Sequence, residues 1–342
     1  MIRARIAVIL LVVLAVVSAT GCSKEAEVVA GWPVADAERT TPKPPEPLLW
    51  PLTGLDAPSA DAIGRRVISV KIENSPAARP QSGLQSADVV YESVAEGGIT
   101  RFNVMFHSTM PDPIGPVRSA RLSDITIVPQ YDGLFVFSGS SSSVGSAIRN
   151  AGLPNLSQDA GVSSFYYRSR ERAAPHNLYA HLDQVHAEAE RRGMRTTAER
   201  RSLAFSRTLP EGLGGTAVTT VNVPFSQANR VLWTYDAGRG VFLRDNNGSR
   251  HNDALTGEQI AARNVVVMWA RHVPKGGGTY DIELAGSGRT SVFRDGVRID
   301  GTWEATREAP PVLTAADGTQ IKLAPGNTWF QVVATDVQVT AQ

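Results

Sequence analysis

A single cysteine, Cys22, is the feature that most limits how this chain can fold. No disulfide can form within one copy, so the folded part must be held by an apolar core and backbone pairing alone. Its 342 residues, 42% of them hydrophobic, supply such a core. The length exceeds the roughly 100 to 200 residues of a usual domain, so two domains are expected.

Cys22 also closes a leader. Arg3 and Arg5 precede an unbroken apolar run, residues 6–17, and the small residues 18–21 follow it. These are the three parts of a signal peptide, here residues 1–21, and the run is shorter than the about 20 residues of a membrane span. Ala19-Thr20-Gly21-Cys22 resembles a bacterial lipobox, with Ala19 where such boxes usually carry leucine. The resemblance implies cleavage before Cys22 and acylation of its thiol. The lipid bilayer is then the first partner, and the outer face of the bacterial cell membrane the location.

Removing the leader leaves 32 basic against 33 acidic side chains, without the basic excess of a nucleic-acid binder. Residues 22–48 lack apolar periodicity and end in prolines, which predicts an extended tether. A first domain is expected over 49–205. In it, "VISVKI", "VVYESVA" and "RFNVMFHS" read as strands, the last two joined through "EGGIT" as a hairpin. "LFVFSG" reads as a buried strand, and Pro129 predicts a short helix ending near Val128. The serines before Val144 and the glycine at 152 predict a capped helix, and residues 178–194 a second one ending at Gly193.

A Gly-rich linker, 206–217, leads into 218–342, where short apolar strands alternate with turn signals. The expected fold class is α+β: an N-terminal mixed α/β domain followed by a smaller β-rich sandwich or barrel-like domain.

The densest polar set lies in the first domain. Arg118 and Arg121, three apart in "IGPVRSARLSD", present guanidinium forks suited to a carboxylate or phosphate. With Arg79 and Arg101 they make a candidate cradle for an anion, with Asn74, Glu96 and Ser119 as further ligand-binding residues. Internal ion pairs with Glu92 and Glu96 account for the same arginines. Those two carboxylates also allow an alternative, a cell-wall hydrolase using Glu92 and Glu96 as acid and base, with His176 or His251 assisting.

"FVFSGSSSSVGSAI" is neither a P-loop nor a nucleophile elbow; it offers backbone N–H groups to an anion, or simply caps a helix through Ser143 or a neighbour. His176, His181 and His186 lack H-E-x-x-H spacing, so no metal is expected, and no cofactor.

In order along residues 50–337, "PLTGL", "IENSPAARPQSGLQSADVVYE", "EGGITRF", "IGPVRSAR", "HNLY", "RHNDALTGEQIAARNVVVMWARH", "FRDGVRIDGTW" and "APGNTWFQVV" resemble the YerB-like bacterial lipoproteins. The resemblance implies a two-domain envelope lipoprotein, each half a domain of unknown function, and brings no catalytic residue. The expectation is a membrane-anchored binding or adaptor module for an anionic envelope ligand or a wall-synthesis protein, more a binder than an enzyme.

Overall fold

The computed structural model describes residues 46–199 and 201–342. The expected leader, Cys22 and most of the tether lie outside the described residues.

The N-terminal half supplies strands β1 (Ile68–Glu73), β2 (Val89–Val94), β3 (Thr100–Phe106) and β4 (Leu134–Val136), then a small hairpin of β5 (Tyr166–Arg168) and β6 (Leu178–Ala180). Its helices are α1 (Ala60–Ile63), α2 (Asp124–Gln130), α3 (Ser142–Asn150) and α4 (Val185–Arg191). After them come β7 (Thr216–Ala217), β8 (Thr220–Pro224), β9 (Arg230–Asp236), β10 (Val241–Asn246), β11 (Ser249–Arg250), β12 (Ala261–Ala262) and β13 (Asn264–Ala270). The chain closes with β14 (His272–Gly276), β15 (Thr279–Ile282), β16 (Gly286–Arg294), β17 (Val297–Ala305), β18 (Val312–Ala315), β19 (Thr328–Ala334) and β20 (Thr340–Ala341). The sheet-rich α+β class is as expected.

The C-terminal strands do not close on themselves. A ten-stranded sheet runs in the order β18-β17-β16-β13-β19-β2-β3-β1-β4, with β7 added beside β17. Its seam is β19 against β2, parallel, from Thr328 opposite Val89 to Val332 opposite Ser93. Strands from both sides of residues 206–217 therefore share one sheet, and β7 falls within that expected linker. The pairing satisfies two edges that would otherwise stay open. β13 and the first six residues of β19 are buried throughout, as near-continuous apolar strands covered on both faces should be.

The second sheet, β11-β10-β9-β8-β20 with β12 beside β10, packs on one of those faces. Val221, Val223, Trp233 and Phe242 meet Val104, Val265 and Trp329 there, and the Trp233 and Trp329 rings cross edge to face at 5.3 Å. On the other face Tyr91, Met105, Met268 and Phe330 pack with Ile127 and Tyr131 around α2. Tyr91 stacks on Phe330 at 4.6 Å and shares a 2.9 Å hydroxyl contact with Tyr131.

Two local expectations are corrected. Residues 178–180 form β6, Leu182–Gln184 a 3₁₀ turn, and only Val185–Arg191 is α-helix. Leu178 and Ala180 enter the core while Tyr179 between them stacks on Tyr167 of β5, and pairing with β5 takes this segment out of the helix. The stop at Gly193 stands: its φ is +71°, and bonds from Gly193 N to Glu190 O and from Met194 N to Ala189 O make a Schellman ending. α2 runs past Pro129 to Gln130, and the Ile125 carbonyl, where an N–H at 129 would have bonded, accepts from Arg307 Nε at 3.4 Å.

No helix among the described residues is long and apolar enough to cross a membrane.

Candidate functional site

Alternation along the strands sorts the candidate residues onto two faces of the large sheet. Glu92 and its register partner Phe102 face the second sheet, whereas Glu73 and its partner Arg101 face the opposite way.

On the first face Glu92 is fully enclosed. Arg244 of β10 donates from Nη2 to both its oxygens, at 2.8 and 2.9 Å, and Thr100 donates to Oε1 at 2.7 Å. The guanidinium carbon of Arg244 stands 5.3 to 5.8 Å from the rings of Trp329, Phe102 and Trp233. Arg244 Nη1 donates to His251 Nδ1, so that nitrogen must accept and the proton sits on Nε2, which donates to Gln81 Oε1 at 2.6 Å. Burial, with Arg244 and Arg79 nearby, pushes the His251 pKa well down and keeps the ring neutral. Asn74 Oδ1 accepts from Arg79 Nε at 3.0 Å and Gln81 Nε2 at 3.1 Å. Burial beside Arg244 lowers the Arg79 pKa to about 10. Asp253 accepts from the backbone N–H groups of Gly83 and Gln85, at 3.1 and 2.8 Å. "RHND" thus clasps "ARPQSGLQ".

This corrects two expectations. Glu92 cannot be an acid or base toward substrate, because it has no exposed surface and neutralises Arg244. Asn74 and Arg79 do not join the arginines of "IGPVRSARLSD": Arg79 donates from Nε and Nη2 to Asn74, inside the clasp.

On the opposite face ionic side chains follow one another toward the C-terminal ends of β1 and β2. Lys71 Nζ contacts Asp124 Oδ1 at 2.7 Å, and burial pushes the Lys71 pKa down while Asp124 holds it up. Glu73, buried, accepts from Ser75 Oγ at 2.9 Å and meets His176 Nδ1 at 2.9 Å. Arg118 Nε lies 3.2 Å from Glu73 Oε2, misaligned for a hydrogen bond. Arg121 Nη2 contacts Glu96 Oε2 at 2.5 Å, and Arg101 Nη2 reaches the same oxygen at 3.5 Å. Arg118 and Arg121 therefore go to different carboxylates.

Four cations and three carboxylates meet here, and the donors are not all used. Arg101 is 7% exposed, yet its Nε and Nη1 have no partner, and neither does Arg121 Nε. A cavity of about 270 Å³ opens beside Arg121 and Glu96; Arg101 and Arg118 do not line it, and Arg101 adjoins it only through Glu96. Glu96 from the β2–β3 turn, Ser119 and Arg121, Ser141 before α3, and Lys275 and Tyr280 of the β14–β15 hairpin line it. The arrangement is suited to holding an oxyanion.

Sequence reasoning missed Lys275 and Tyr280, whose "KGGGTY" reads only as a turn. Of the serines before Val144, Ser141 caps α3, its Oγ accepting from Val144 N at 3.4 Å. His181 pairs with Asp112 at 2.5 Å and His186 Nε2 with the Arg66 carbonyl at 2.9 Å. Among the described residues no three His, Cys, Asp or Glu side chains are placed to hold a metal ion.

Residues 52–195 match the N-terminal domain of a protein family of unknown function, DUF3048, and residues 221–330 its C-terminal domain. A relative named "Putative lipoprotein YerB", from Bacillus subtilis (strain 168), is 31% identical over 285 residues, spanning 83% of this chain and 85% of the relative. The crystal structure of YerB protein from Bacillus subtilis superposes with a TM-score of 0.77 at 31% identity, over 86% of this chain and 99% of that one. With both domain models matched in order and the relative aligned across most of its length, the chain belongs to the YerB-like DUF3048 family.

Proposed function

We propose that the chain is a lipid-anchored protein of the cell envelope, held at the outer face of the membrane through Cys22, whose folded unit binds an anionic envelope ligand without transforming it. The leader ending at Cys22 supports the anchor, as does the lipoprotein name carried by the Bacillus relative. The observation that carries the binding reading is Arg121, with its Nε unpaired, at the wall of an open cavity, and the unpaired Nε and Nη1 of Arg101 behind Glu96, because buried guanidinium groups ordinarily have their N–H groups satisfied. The binding set is Arg121 and Ser119 with Glu96 at the cavity wall, backed by Arg101 against Glu96 and Arg118 against Glu73. Enclosure of Glu92 favours binding over hydrolysis.

The test is calorimetric titration of the folded unit with inorganic phosphate and with soluble anionic wall fragments, at low and high salt. Binding is expected to weaken as salt rises and to fall at least tenfold in Arg121→Ala and in Arg118→Ala. Affinity unchanged in both variants would remove the site. For the anchor, the full chain should partition into detergent and Cys22→Ala should not.

A further inference from the structure

The same site contains an imbalance that points to how it is regulated. One carboxylate oxygen, Glu96 Oε2, serves two arginines, and its 3.5 Å contact with Arg101 is too long for a hydrogen bond. Arg101 is left, nine-tenths buried, with Nε and Nη1 unused, and Arg121 with Nε unused. A guanidinium presents its nitrogens as a fork that matches the two oxygens of a carboxylate or phosphate, and Glu96 fills only part of that demand.

Glu96 is also carried where it can leave. Gly97 and Gly98 follow it with φ of +68° and +72°, and nothing lies within 4 Å of the place a side chain on Gly97 would take. The turn abuts the tip of the β14–β15 hairpin: a Cβ on Gly278 would sit 3.7 Å from Gly97 N. That tip is itself three consecutive glycines at positive φ, 276 to 278. Two glycine-rich tips thus meet beside the cavity; Gly98 is pinned by Ser226 Oγ, which donates to its carbonyl at 2.5 Å, so the freedom lies at the Glu96–Gly97 end of the turn and in the facing glycines 276 to 278.

We infer that Glu96 is an internal stand-in for the ligand's own oxyanion, which an incoming carboxylate or phosphate displaces from Arg101 and Arg121. This rests on the anion-binding reading above and adds to it a competitor built into the chain. The tethered carboxylate competes at a high effective concentration, so the free protein is held in a low-affinity form. Only a ligand that offers more than one oxygen, or additional contacts to Ser119 and Lys275, outcompetes it.

The experiment compares wild type, Glu96→Gln and Glu96→Asp, each titrated with inorganic phosphate and, separately, with acetate at matched ionic strength. Glu96→Gln removes the competing charge and should bind at least tenfold tighter than wild type. Glu96→Asp withdraws the carboxylate by one methylene and should fall between them, which keeps the test open should Glu96→Gln fold poorly. The two anions tell a tetrahedral from a planar preference. Adding Arg121→Ala to Glu96→Gln should abolish the gain. Equal affinity in wild type and both Glu96 variants, lost on Arg121→Ala, overturns the stand-in and leaves the anion site intact. Absence of binding in every form overturns both.

Discussion

Replacing Glu92 by glutamine isolates the energetics of the clasp between the two sequence halves. Glu92 and Arg244 are both fully buried, their contact is 2.8 Å, and they are 152 residues apart in sequence. Removing one partner of a buried ion pair costs about 3–5 kcal/mol, because the remaining charge is stranded in a poor solvent. His251 is neutral and supplies no charge to replace the one lost, and the rings 5.3 to 5.8 Å away, each worth about 2 kcal/mol or more to a desolvated cation, flank Arg244 with or without Glu92 and so add no new compensation. The glutamine carbonyl still accepts one hydrogen bond, so the low end, about 3 kcal/mol, is expected. For a folded unit of this size that is a fall in Tm of about 5 °C. Guanidinium unfolding followed by tryptophan fluorescence suits the site, since Trp233 and Trp329 both flank the pair. The double variant Glu92→Leu, Arg244→Met should recover most of the loss, as apolar replacement of a whole buried pair commonly does. A Glu92→Gln protein within about 1 kcal/mol of wild type would refute the argument that this charge pair is what Arg244 depends on.

Two other outcomes follow from buried polar groups. His107 packs edge-on to Trp50 at 4.9 Å, and burial lowers its pKa to about 4. The unfolded chain binds that proton at an ordinary pKa near 6.5, so stability should be lost as pH falls from about 6.5 to 4, by about 1.4 kcal/mol per unit. His107→Phe should remove that slope; an unchanged pH profile of unfolding contradicts it. Asp253→Ala leaves the Gly83 and Gln85 amides without their acceptor and should cost about 2 kcal/mol. Hydrogen exchange at those two amides reads it directly, and amides as protected as in wild type would refute the clasp.

Much of the local structure was legible because its causes are local. The period-two strands at 68–73, 89–94 and 100–106, the paired glycines between the last two, the serine cap of α3 and the stop at Gly193 each depend on a few neighbouring residues. β6 was misread because "LYAHLDQV" changes from strand to helix spacing within a few residues, and its partner β5, ten residues upstream, decides where. The candidate site divides in the same way. The alternation of Lys71 and Glu73 with the apolar residues of β1 is written in the chain, and so is the proximity of Arg118 to Arg121. Which carboxylate each arginine meets is not, because every partner comes from another strand or turn, and one residue of register moves a side chain to the other face. Composition and local pattern therefore determined an α+β chain with no disulfide within one copy, a leader-like start and arginines near the ends of its early strands. Tertiary structure alone decided that β19 joins β2 in one sheet. Arg244 meets Glu92 from 152 residues away and Arg121 meets Glu96 at the cavity from 25, so burial and charge neutralisation are settled there by residues that local pattern does not bring together.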